Sequence, residues 1–442
     1  MIIEFSIENY LSFKDKITFS FQAASIKEHP DHVFEENNGR YSVLLGALLY
    51  GANGSGKSNL IRGLSFMKDF IINSSKDKQA NEEIAVEFFK LSSDSINKPS
   101  SFEASILINN EFYRYGFSLD KERIYKEWLF TKSKIKETPL FVREFKKESM
   151  SYEYQIENDF KKGDPVDTFL VRKNALFLSV SSQFNGEFSK KLVSWFSTIT
   201  FISGTNYSDY IKYTADLISE ASHRKLILEF LRTANLGFHD VKVQKKEITE
   251  EMLDGLPLEF KKLFLSSKNR EITNIRTIHT KWDHNGRKVG EVEFDLMKEE
   301  SLGSQKFFAL AGPIYHSLLT GSLLVIDEFD SRLHPDLSRF IIQIFQNRLN
   351  NYKNSQFLFS SHNTQFLDRN LLRRDELFFI DKTERESSYL YNIYNMSKLS
   401  PDLPNVRNDA SFEKDYLEGK YGAVPFNKTI GRQLNLWDLI KD

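Results

Sequence analysis

The chain has 442 residues, of which 40% are hydrophobic, and its formal net charge is −1. This length suits about two or three domains, and the near-zero charge gives no global basic field that would attract nucleic acid. The chain has no cysteine, which excludes disulfides and thiolate metal sites and suits a reducing cytosol. No apolar run approaches the ~20 residues that span a bilayer, and Met1–Phe5 lacks a signal-peptide pattern. We therefore expect a cytoplasmic protein without a membrane partner.

The first segments of the chain predict antiparallel strands. Residues 2–21 alternate between apolar and polar side chains on both sides of Lys14-Asp15-Lys16, which predicts a strand, a turn and a second strand. Further strands are predicted at 84–91, 102–109 and 111–119. The Asn109-Asn110 pair favours a tight hairpin between the last two.

A phosphate-binding loop is predicted between these strands. Residues 51–58 read Gly-Ala-Asn-Gly-Ser-Gly-Lys-Ser and match G-x-x-x-x-G-K-[ST] at every fixed position. They follow an apolar run at 43–50 and precede a helical pattern, the context in which backbone N–H groups surround phosphates. Lys57 is expected to reach the β- and γ-phosphates, and the Ser58 hydroxyl is expected to bind Mg²⁺. The residues expected to bind the nucleotide here are Gly51, Asn53, Gly54, Ser55, Gly56, Lys57, Ser58 and Asn59.

The rest of the chain changes pattern twice. More short strands are indicated at 121–170, and the spacing becomes helical from about 185 to 235. Extended stretches return near Ile275 and at 291–296, and after residue 300 helices and strands alternate, as in a parallel α/β sheet. We therefore divide the chain into an N-terminal lobe (1–120), an insertion (121–300) and a C-terminal lobe (301–442).

Two adjacent carboxylates follow an apolar run in the C-terminal lobe. Leu323–Ile326 predict a buried strand, and Asp327 and Glu328 come directly after it. A carboxylate at the carboxyl end of a central parallel strand faces the phosphate crevice. We expect Asp327 to support Mg²⁺ and Glu328 to orient and polarise the attacking water.

Two more segments flank this strand. Ser301-Leu302-Gly303-Ser304-Gln305 opens an apolar helix whose N-terminus suits a γ-phosphate; an ordinary serine-capped helix is the alternative. This segment would serve the nucleotide of a second subunit. His362 follows the apolar run of 356–359 and is expected to hydrogen-bond a γ-phosphate, the alternative being a satisfied histidine at a strand end.

Together these segments resemble the ATPase head of ABC-type proteins, nearest to the SMC/RecF-like branch. Ile7–Phe13 also resembles the opening strands of those heads. The matching motifs are Gly51–Ser58 (Walker A), Ser301–Gln305 (signature), Leu323–Glu328 (Walker B), Asp330–Pro335 (D-loop region) and His362 (switch histidine). The resemblance implies an α/β P-loop NTPase of ABC-ATPase type. Its parts would be an N-terminal antiparallel β subdomain, a mainly parallel core sheet with helices, and a helical or mixed insertion.

The same resemblance implies an ATPase that uses ATP and Mg²⁺ and works as a homo-oligomer with at least a head-to-head dimer. Ser301, Gly303 and Gln305 would bind the partner subunit's nucleotide, and Gln183 would be the Q-loop glutamine that contacts Mg²⁺. Ser304 stands where many transporters have glycine. The insertion is too short, and too poor in heptads, for a long SMC arm.

A closer resemblance is to stand-alone prokaryotic ATPases of abortive-infection and anti-phage systems, whose C-terminal block resembles Phe412–Pro425. It implies a sensor or scaffold that controls a separate effector, a nuclease or toxin, in response to nucleic acid or a phage protein. The chain after His362 is too short for a TOPRIM nuclease domain. The alternative is an SMC/RecF-like ATPase of DNA repair or DNA-end processing, for which a basic groove could involve Lys132–Lys136, Lys245-Lys246 or Arg373-Arg374.

Overall fold

The computed structural model describes residues 1–36, 39–76, 79, 82–132, 136–247, 271–398, 406–407 and 409–424. The chain divides into two compact units. Unit 1 contains Met1–Ile202, Gly321–Phe329 and Arg339–Asp442, and unit 2 contains Ser203–Thr320 and Asp330–Ser338. Within the described ranges, no helix combines the length and the apolar character needed to cross a membrane.

The elements of the described residues are as follows. The strands are β1 (Ile2–Glu8), β2 (Ile17–Ser20), β3 (Val33–Glu35), β4 (Ser42–Leu44), β5 (Gly46–Tyr50), β6 (Ser100–Ile108), β7 (Glu111–Leu119), β8 (Ile124–Lys132), β9 (Glu137–Lys146), β10 (Ser151–Ile156), β11 (Thr200–Ser203), β12 (Phe238–Glu247), β13 (Glu271–Trp282), β14 (Lys288–Asp295), β15 (Leu323–Asp327), β16 (Gln356–Ser360), β17 (Leu377–Lys382) and β18 (Ser388–Asn392). The helices are α1 (Lys57–Asn73), α2 (Asn158–Gly163), α3 (Phe177–Gln183), α4 (Glu187–Ser197), α5 (Ser208–Ser219), α6 (Ala221–Thr233), α7 (Leu302–Thr320), α8 (Pro335–Gln346) and α9 (Phe412–Leu417).

The first sheet of unit 1 is antiparallel, with strand order β10-β9-β8-β7-β6-β1-β2. The predicted hairpin is confirmed: Asn109 and Asn110 have φ values of 50° and 63°, the left-handed conformation that a tight two-residue turn requires. The strand predicted at 84–91 is wrong. Its backbone bonds go to loops and to its own neighbours, as in Leu11 N–H to the Glu87 carbonyl (3.0 Å), so alternation there reflects burial without a ladder.

This sheet also takes in strands that the sequence analysis placed in the insertion. β8, β9 and β10 continue the hairpin order beyond residue 120, and unit 1 extends to Ile202. Hairpins add strands to an existing edge with short connections, so a change in composition near residue 121 does not mark a change of compact unit.

The second sheet of unit 1 is mostly parallel and has the order β11-β15-β16-β5-β17-β18. The four central strands β15, β16, β5 and β17 pair in parallel, and β18 is antiparallel to β17. The apolar run of 43–50 is divided at Leu45 between β4 and β5. The predicted core of parallel strands is therefore confirmed.

Helix α1 packs against the antiparallel sheet through aromatic side chains and also contacts β15 of the parallel sheet. Phe66 lies 4.9 Å from Phe102, and Phe70 lies 5.5 Å from Phe117, between ring centroids. The buried Gln356 amide links the two sheets, because its Oε1 accepts from Ile2 N–H (2.7 Å) while its Nε2 donates to the Ile2 carbonyl (2.9 Å). These contacts give unit 1 one continuous core.

Unit 2 combines α5, α6 and α7 with a three-stranded antiparallel sheet, β12-β13-β14. Helix α7 contains Pro313, which has no N–H and leaves the carbonyl four residues earlier without its usual donor. That carbonyl belongs to the buried Ala309, and Thr214 Oγ1 of α5 donates to it at 3.0 Å. The same hydroxyl accepts from Gly312 N–H at 3.1 Å. Thr214 thus repairs the proline-interrupted helix.

We predict that Thr214→Val destabilises the protein by about 1–3 kcal/mol, because it leaves a buried carbonyl without a donor at nearly constant side-chain volume. Urea denaturation measures the loss of unfolding free energy, and hydrogen exchange should show faster exchange in α7. The matched control is Thr233→Val, whose exposed hydroxyl bonds only the Glu229 carbonyl of its own helix. Equal stability of the two variants would contradict the prediction.

Candidate nucleotide-binding site

The candidate site lies in unit 1, where the loops after β5, β15 and β16 meet. The carboxyl ends of neighbouring parallel strands lie at the same edge of a sheet, which is where α/β proteins bind ligands. A cavity of about 450 Å³ is found at this edge. It is lined by Asn53, Gly54, Gly56, Lys57, Ser58, Asn59, Asp327, Glu328 and His362. The structure thus brings together residues that are more than 300 positions apart in the sequence.

The glycine loop adopts a backbone that side chains would not tolerate. Gly56, which precedes α1, has a φ of 120°. A Cβ atom there would lie 2.5 Å from Ser388 Oγ and 2.8 Å from Ser12 Oγ. Glycine is therefore required at this position by both the backbone angle and the space available.

Two serines from distant segments support the loop, and the sequence analysis missed both. Ser388 Oγ donates to the Ser55 carbonyl at 2.5 Å, and Ser388 N–H donates to the Ser12 carbonyl at 2.8 Å. Asn59 Nδ2 donates to Ser12 Oγ at 2.9 Å. The loop is consequently held between the β1–β2 turn and the start of β18. Isolated serines carry no sequence signal for such a contact.

Lys57 is the first residue of α1, and its ammonium group lies inside the loop. Its Nζ donates to the carbonyls of Gly51 (2.7 Å) and Ala52 (3.0 Å). The residue is 6% exposed, although it lines the cavity. The positive end of the helix and the lysine cation therefore act on the same space, which favours an anion such as a phosphate.

One buried serine fixes both carboxylate-bearing residues. Ser360, at the end of β16, donates through Oγ to Asp327 Oδ1 at 2.5 Å and accepts from Glu328 N–H at 2.8 Å. Glu328 has a φ of 50°, a left-handed conformation that is rare outside glycine and is common where a chain turns sharply at a functional site. Ser360 was missed by the sequence analysis, because it lies two residues before His362 and belongs to no recognisable motif.

The His362 loop is tied to the strand that precedes the glycine loop. Tyr50, the last residue of β5, donates from its hydroxyl to the His362 carbonyl at 2.7 Å. Ser361 Oγ accepts from Asn363 N–H at 2.9 Å. These bonds fix the backbone from which the imidazole reaches the cavity.

The donor set of the cavity fits Mg²⁺. The Ser58 hydroxyl and the Asp327 carboxylate line the same space. Both supply oxygen, the donor atom that this ion takes, usually from one or two protein groups together with phosphates of the substrate.

Four of the predicted site residues lie elsewhere. Gln183 is exposed at the end of α3 and is not among the residues that line the cavity. Ser301, Gly303 and Gln305 belong to unit 2. Gly51 and Ser55 remain in the glycine loop without lining the cavity, and Ser55 is buried.

The segment Ser301–Gln305 forms the N-terminus of α7. Ser301 Oγ accepts from Ser304 N–H at 3.1 Å, which is the bond of a capping serine. Gln305 is buried, and its Nε2 donates to the Glu300 carbonyl at 3.0 Å. Ser301 is exposed and Gly303 is half-buried. Ser301 therefore caps the helix, and the helix terminus stays accessible.

A buried lysine joins this helix to the segment after Walker B. Lys306 is fully buried, and its Nζ donates to the Ser331 carbonyl (2.7 Å) and to Ser331 Oγ (3.0 Å). Ser331 Oγ in turn donates to the Gly204 carbonyl at 2.8 Å. Within unit 2, the predicted D-loop region and the predicted signature helix are thus directly connected. No motif in the sequence points to Lys306.

Three cations of the candidate basic clusters are paired with carboxylates. Arg373 is 1% exposed and forms a bidentate ion pair with Asp375, and Arg374 pairs with Glu28 at 2.7 Å. Proposing Arg373-Arg374 for a nucleic-acid surface was therefore wrong, because both charges hold loops together. Lys245 pairs with Asp216 at 2.6 Å. Residues 133–135 of the cluster Lys132–Lys136 lie outside the described residues.

Comparison with known families identifies the chain. The family model described as "AAA domain, putative AbiEii toxin, Type IV TA system" matches residues 47–368. The chain belongs to this family. The match runs from β5 through the glycine loop and both carboxylates to His362, and it confirms the recognition of an ABC-type ATPase of the abortive-infection kind. The segment Phe412–Pro425, on which the resemblance to anti-phage ATPases partly rests, lies beyond the matched residues.

Solved structures with a similar arrangement are SMC head domains. One is the SMC head domain from Thermotoga maritima, with 14% identity and a TM-score of 0.40, covering 88% of this chain and 98% of that one. Another is an Smc head bound to the C-winged helix domain of ScpA, with 12% identity and a TM-score of 0.41, covering 88% of this chain and 97% of that one. Likeness at this level decides nothing beyond what the chain's own residues show. A search of curated proteins gives no match.

We predict that Ser360→Ala lowers the affinity for magnesium-bound, non-hydrolysable ATP analogue about tenfold, because Asp327 loses the donor that orients it. Isothermal titration calorimetry measures this affinity. The matched control is Ser189→Ala, an equally buried serine whose hydroxyl donates to the Asp164 carboxylate, outside the cavity. The prediction fails if both variants bind the analogue as wild type does.

Proposed function

We propose that the chain hydrolyses ATP to ADP and phosphate and that two copies close head to head around two ATP molecules. The observation that supports this proposal best is the single cavity lined by the glycine loop, Asp327, Glu328 and His362. The cavity therefore holds side chains suited to bind phosphate, to bind a metal ion, to act as a base and to contact a γ-phosphate. Membership of an AAA-domain family points to the same nucleotide chemistry.

In this mechanism each group of unit 1 has a separate task. Lys57 and the backbone N–H groups of the glycine loop bind the phosphates. Ser58 and Asp327 would hold Mg²⁺, which would supply positive charge to offset the negative charge of the phosphates. Ser360 keeps Asp327 oriented through the 2.5 Å hydrogen bond.

The hydrolytic step needs a base and a water molecule. Glu328 accepts a proton from water while the water oxygen attacks the γ-phosphorus. The bond from the γ-phosphorus to the bridging oxygen breaks, and ADP leaves with the electron pair. His362 donates a hydrogen bond to the γ-phosphate, so that the charge is stabilised where it develops.

The second half of each site would come from the other copy. The exposed Ser301 and the helix N-terminus at Gly303 suit a γ-phosphate presented by a partner, and Gln305 would hold this segment in shape through its bond to the Glu300 carbonyl. ATP would then act as the ligand that favours the closed dimer. We do not extend the Mg²⁺ role to Gln183, because it is exposed at the end of α3 and does not line the cavity.

We further propose that this assembly is the sensor or scaffold of a prokaryotic anti-phage system and controls a separate nuclease or toxin in the cytoplasm. Support for a toxin–antitoxin setting comes from the family description, which names a "putative AbiEii toxin" and a type IV toxin–antitoxin system, and the absence of cysteine suits the cytoplasm. The trigger would be nucleic acid or a phage protein. The DNA-repair alternative loses one of its basic clusters, because Arg373 and Arg374 are paired with carboxylates.

We predict that Glu328→Gln lowers the rate of ATP hydrolysis about 100-fold or more, because the amide cannot accept the proton. Binding of ATP and the ATP-dependent dimer should persist. Phosphate release measures turnover, and light scattering after size exclusion measures the dimer. In contrast, Lys57→Ala should lose ATP binding and the dimer together.

The matched control is Glu384→Gln, an exposed glutamate in the turn between β17 and β18, which should leave turnover unchanged. Normal hydrolysis by the Glu328 variant would show that the base is wrongly assigned.

Mixing two inactive variants tests whether the site is shared between copies. Neither Lys57→Ala nor Ser301→Arg should hydrolyse ATP alone. In the mixed dimer, one site keeps both Lys57 and Ser301, so an equal mixture should recover activity, at most about half that of wild type because each mixed dimer has one complete site of two.

The control for this experiment is Lys57→Ala mixed with Lys57→Ala/Ser301→Arg, which leaves no complete site. Absence of recovery in the first mixture would contradict a site shared between two copies.

A further inference from the structure

The last described segment of unit 1, residues 409–424, packs against the loop that carries His362. We call this segment the C-terminal block. It contains α9 and lies beyond the residues matched by the family model, which ends at residue 368. No residue of this segment has a role in the proposed mechanism.

The first contact reaches the loop two residues after His362. Thr364 Oγ1 donates to Glu413 Oε1 of α9 at 2.5 Å. The loop turns into the core at this point, where Phe366 is fully buried, and Phe412 of the block is 2% exposed. A hydrogen bond to a carboxylate is stronger than one between neutral groups, so Glu413 fixes the far side of the His362 loop.

The second contact acts on the near side of the same loop. Tyr50 donates to the His362 carbonyl at 2.7 Å. Its ring meets the ring of Tyr416 from α9 edge to face, with 4.9 Å between centroids. The block therefore touches the tyrosine that holds the histidine backbone as well as the threonine that follows the histidine.

Hydrogen bonds within the block and to β17 hold its backbone in place. Helix α9 ends in a Schellman motif, in which Gly419 has a φ of 78° and its N–H donates to the Tyr416 carbonyl at 2.8 Å. The Tyr416 hydroxyl donates to the Ala423 carbonyl at 2.8 Å, and Ala423 N–H donates to Asp381 Oδ2 of β17 at 2.9 Å. Burial raises the pKa of Tyr416 to about 12, which keeps this hydroxyl protonated as a donor.

The support of the glycine loop is separate from the block. Ser12 and Ser388 hold the glycine loop through their side chains, whereas Glu413 bonds Thr364 on the His362 side. Tyr416 packs against both Tyr50 and Phe379, and the Tyr421 carbonyl accepts from the Tyr391 hydroxyl of β18. The Glu413–Thr364 bond is thus the contact that acts on the His362 loop without involving a residue of the glycine loop.

We propose that the C-terminal block positions His362 for hydrolysis and controls the turnover rate without controlling ATP binding. This inference rests on the proposed ATPase function. Glu413 and Tyr416 are positioning residues, because they act through Thr364 and Tyr50. Displacement of the block would slow hydrolysis and leave the protein bound to ATP, which makes the block a control point of the ATP-bound dimer.

The test compares kcat and ATP affinity in variants of this contact. Glu413→Ala and Thr364→Val should each lower kcat roughly tenfold, the value of one charge-assisted hydrogen bond, while the Kd for a fluorescent ATP analogue stays within about twofold. The double variant should be no slower than either single variant, because both remove the same bond. Glu413→Gln keeps an acceptor oxygen and should recover most of kcat.

A second variant keeps the inference testable if the Glu413 variant folds poorly. Tyr50→Phe retains the ring against Tyr416 and removes only the hydroxyl that bonds the His362 carbonyl. It should also lower kcat and leave the Kd unchanged. Thermal unfolding of each variant confirms that it is folded at the assay temperature.

The matched control is Glu418→Ala, an exposed glutamate just after α9, which should turn over at the wild-type rate. If wild type hydrolyses ATP and Glu413→Ala is as fast as Glu418→Ala, the positioning role is refuted while the ATPase function stands. The inference is also refuted if Glu413→Gln is as slow as Glu413→Ala, or if kcat and affinity fall together. If wild type does not hydrolyse ATP, the proposed function itself fails, and the inference fails with it.

Discussion

Parallel pairing of β16 between β5 and β15 is the constraint on which the candidate site depends. Ser360 lies opposite Leu49 on one side, and Phe359 lies opposite Ile326 on the other. The three strands thus end at nearly the same level, and the chain segments that leave them begin side by side. Because the strand interiors are almost wholly apolar and buried, the hydrophobic effect fixes the strands and the strand ends carry the chemistry.

Polar side chains at the two ends of β16 connect this sheet to its surroundings. At the start of the strand, Gln356 bonds both backbone groups of Ile2, so the antiparallel sheet is joined to the parallel one. At the end of the strand, Ser360 bonds Asp327 and the backbone of Glu328. A buried polar group without a partner would cost about 1–3 kcal/mol. Both side chains have their partners, and Ser360 also positions the two carboxylate residues at the cavity.

In each unit, a few side chains complete local backbone hydrogen bonding or hold a loop in place. In unit 2, Thr214 completes the hydrogen bonding of a helix that contains Pro313, and Lys306 ties the start of that helix to Ser331. In unit 1, the glycine loop and the His362 loop have different supports, from Ser12 and Ser388 on one side and from α9 on the other. Under the proposed mechanism, these supports would let nucleotide binding and hydrolysis change independently.

The glycine loop, the two carboxylates after β15, His362 and the Asn109-Asn110 hairpin could be predicted from the amino-acid sequence, because motif spacing and turn preference act between near neighbours in the chain. The distant single residues that complete the site could be identified only from the folded chain. Ser388 reaches Ser55 across 333 positions, and Glu413 reaches Thr364 across 49. The fold also places Arg373 and Arg374 in internal ion pairs, and it leaves the alternating segment at 84–91 outside the sheets. The physical reason is that a lone serine, glutamate or arginine has no period and no motif, so its partner is fixed only when packing brings the two together.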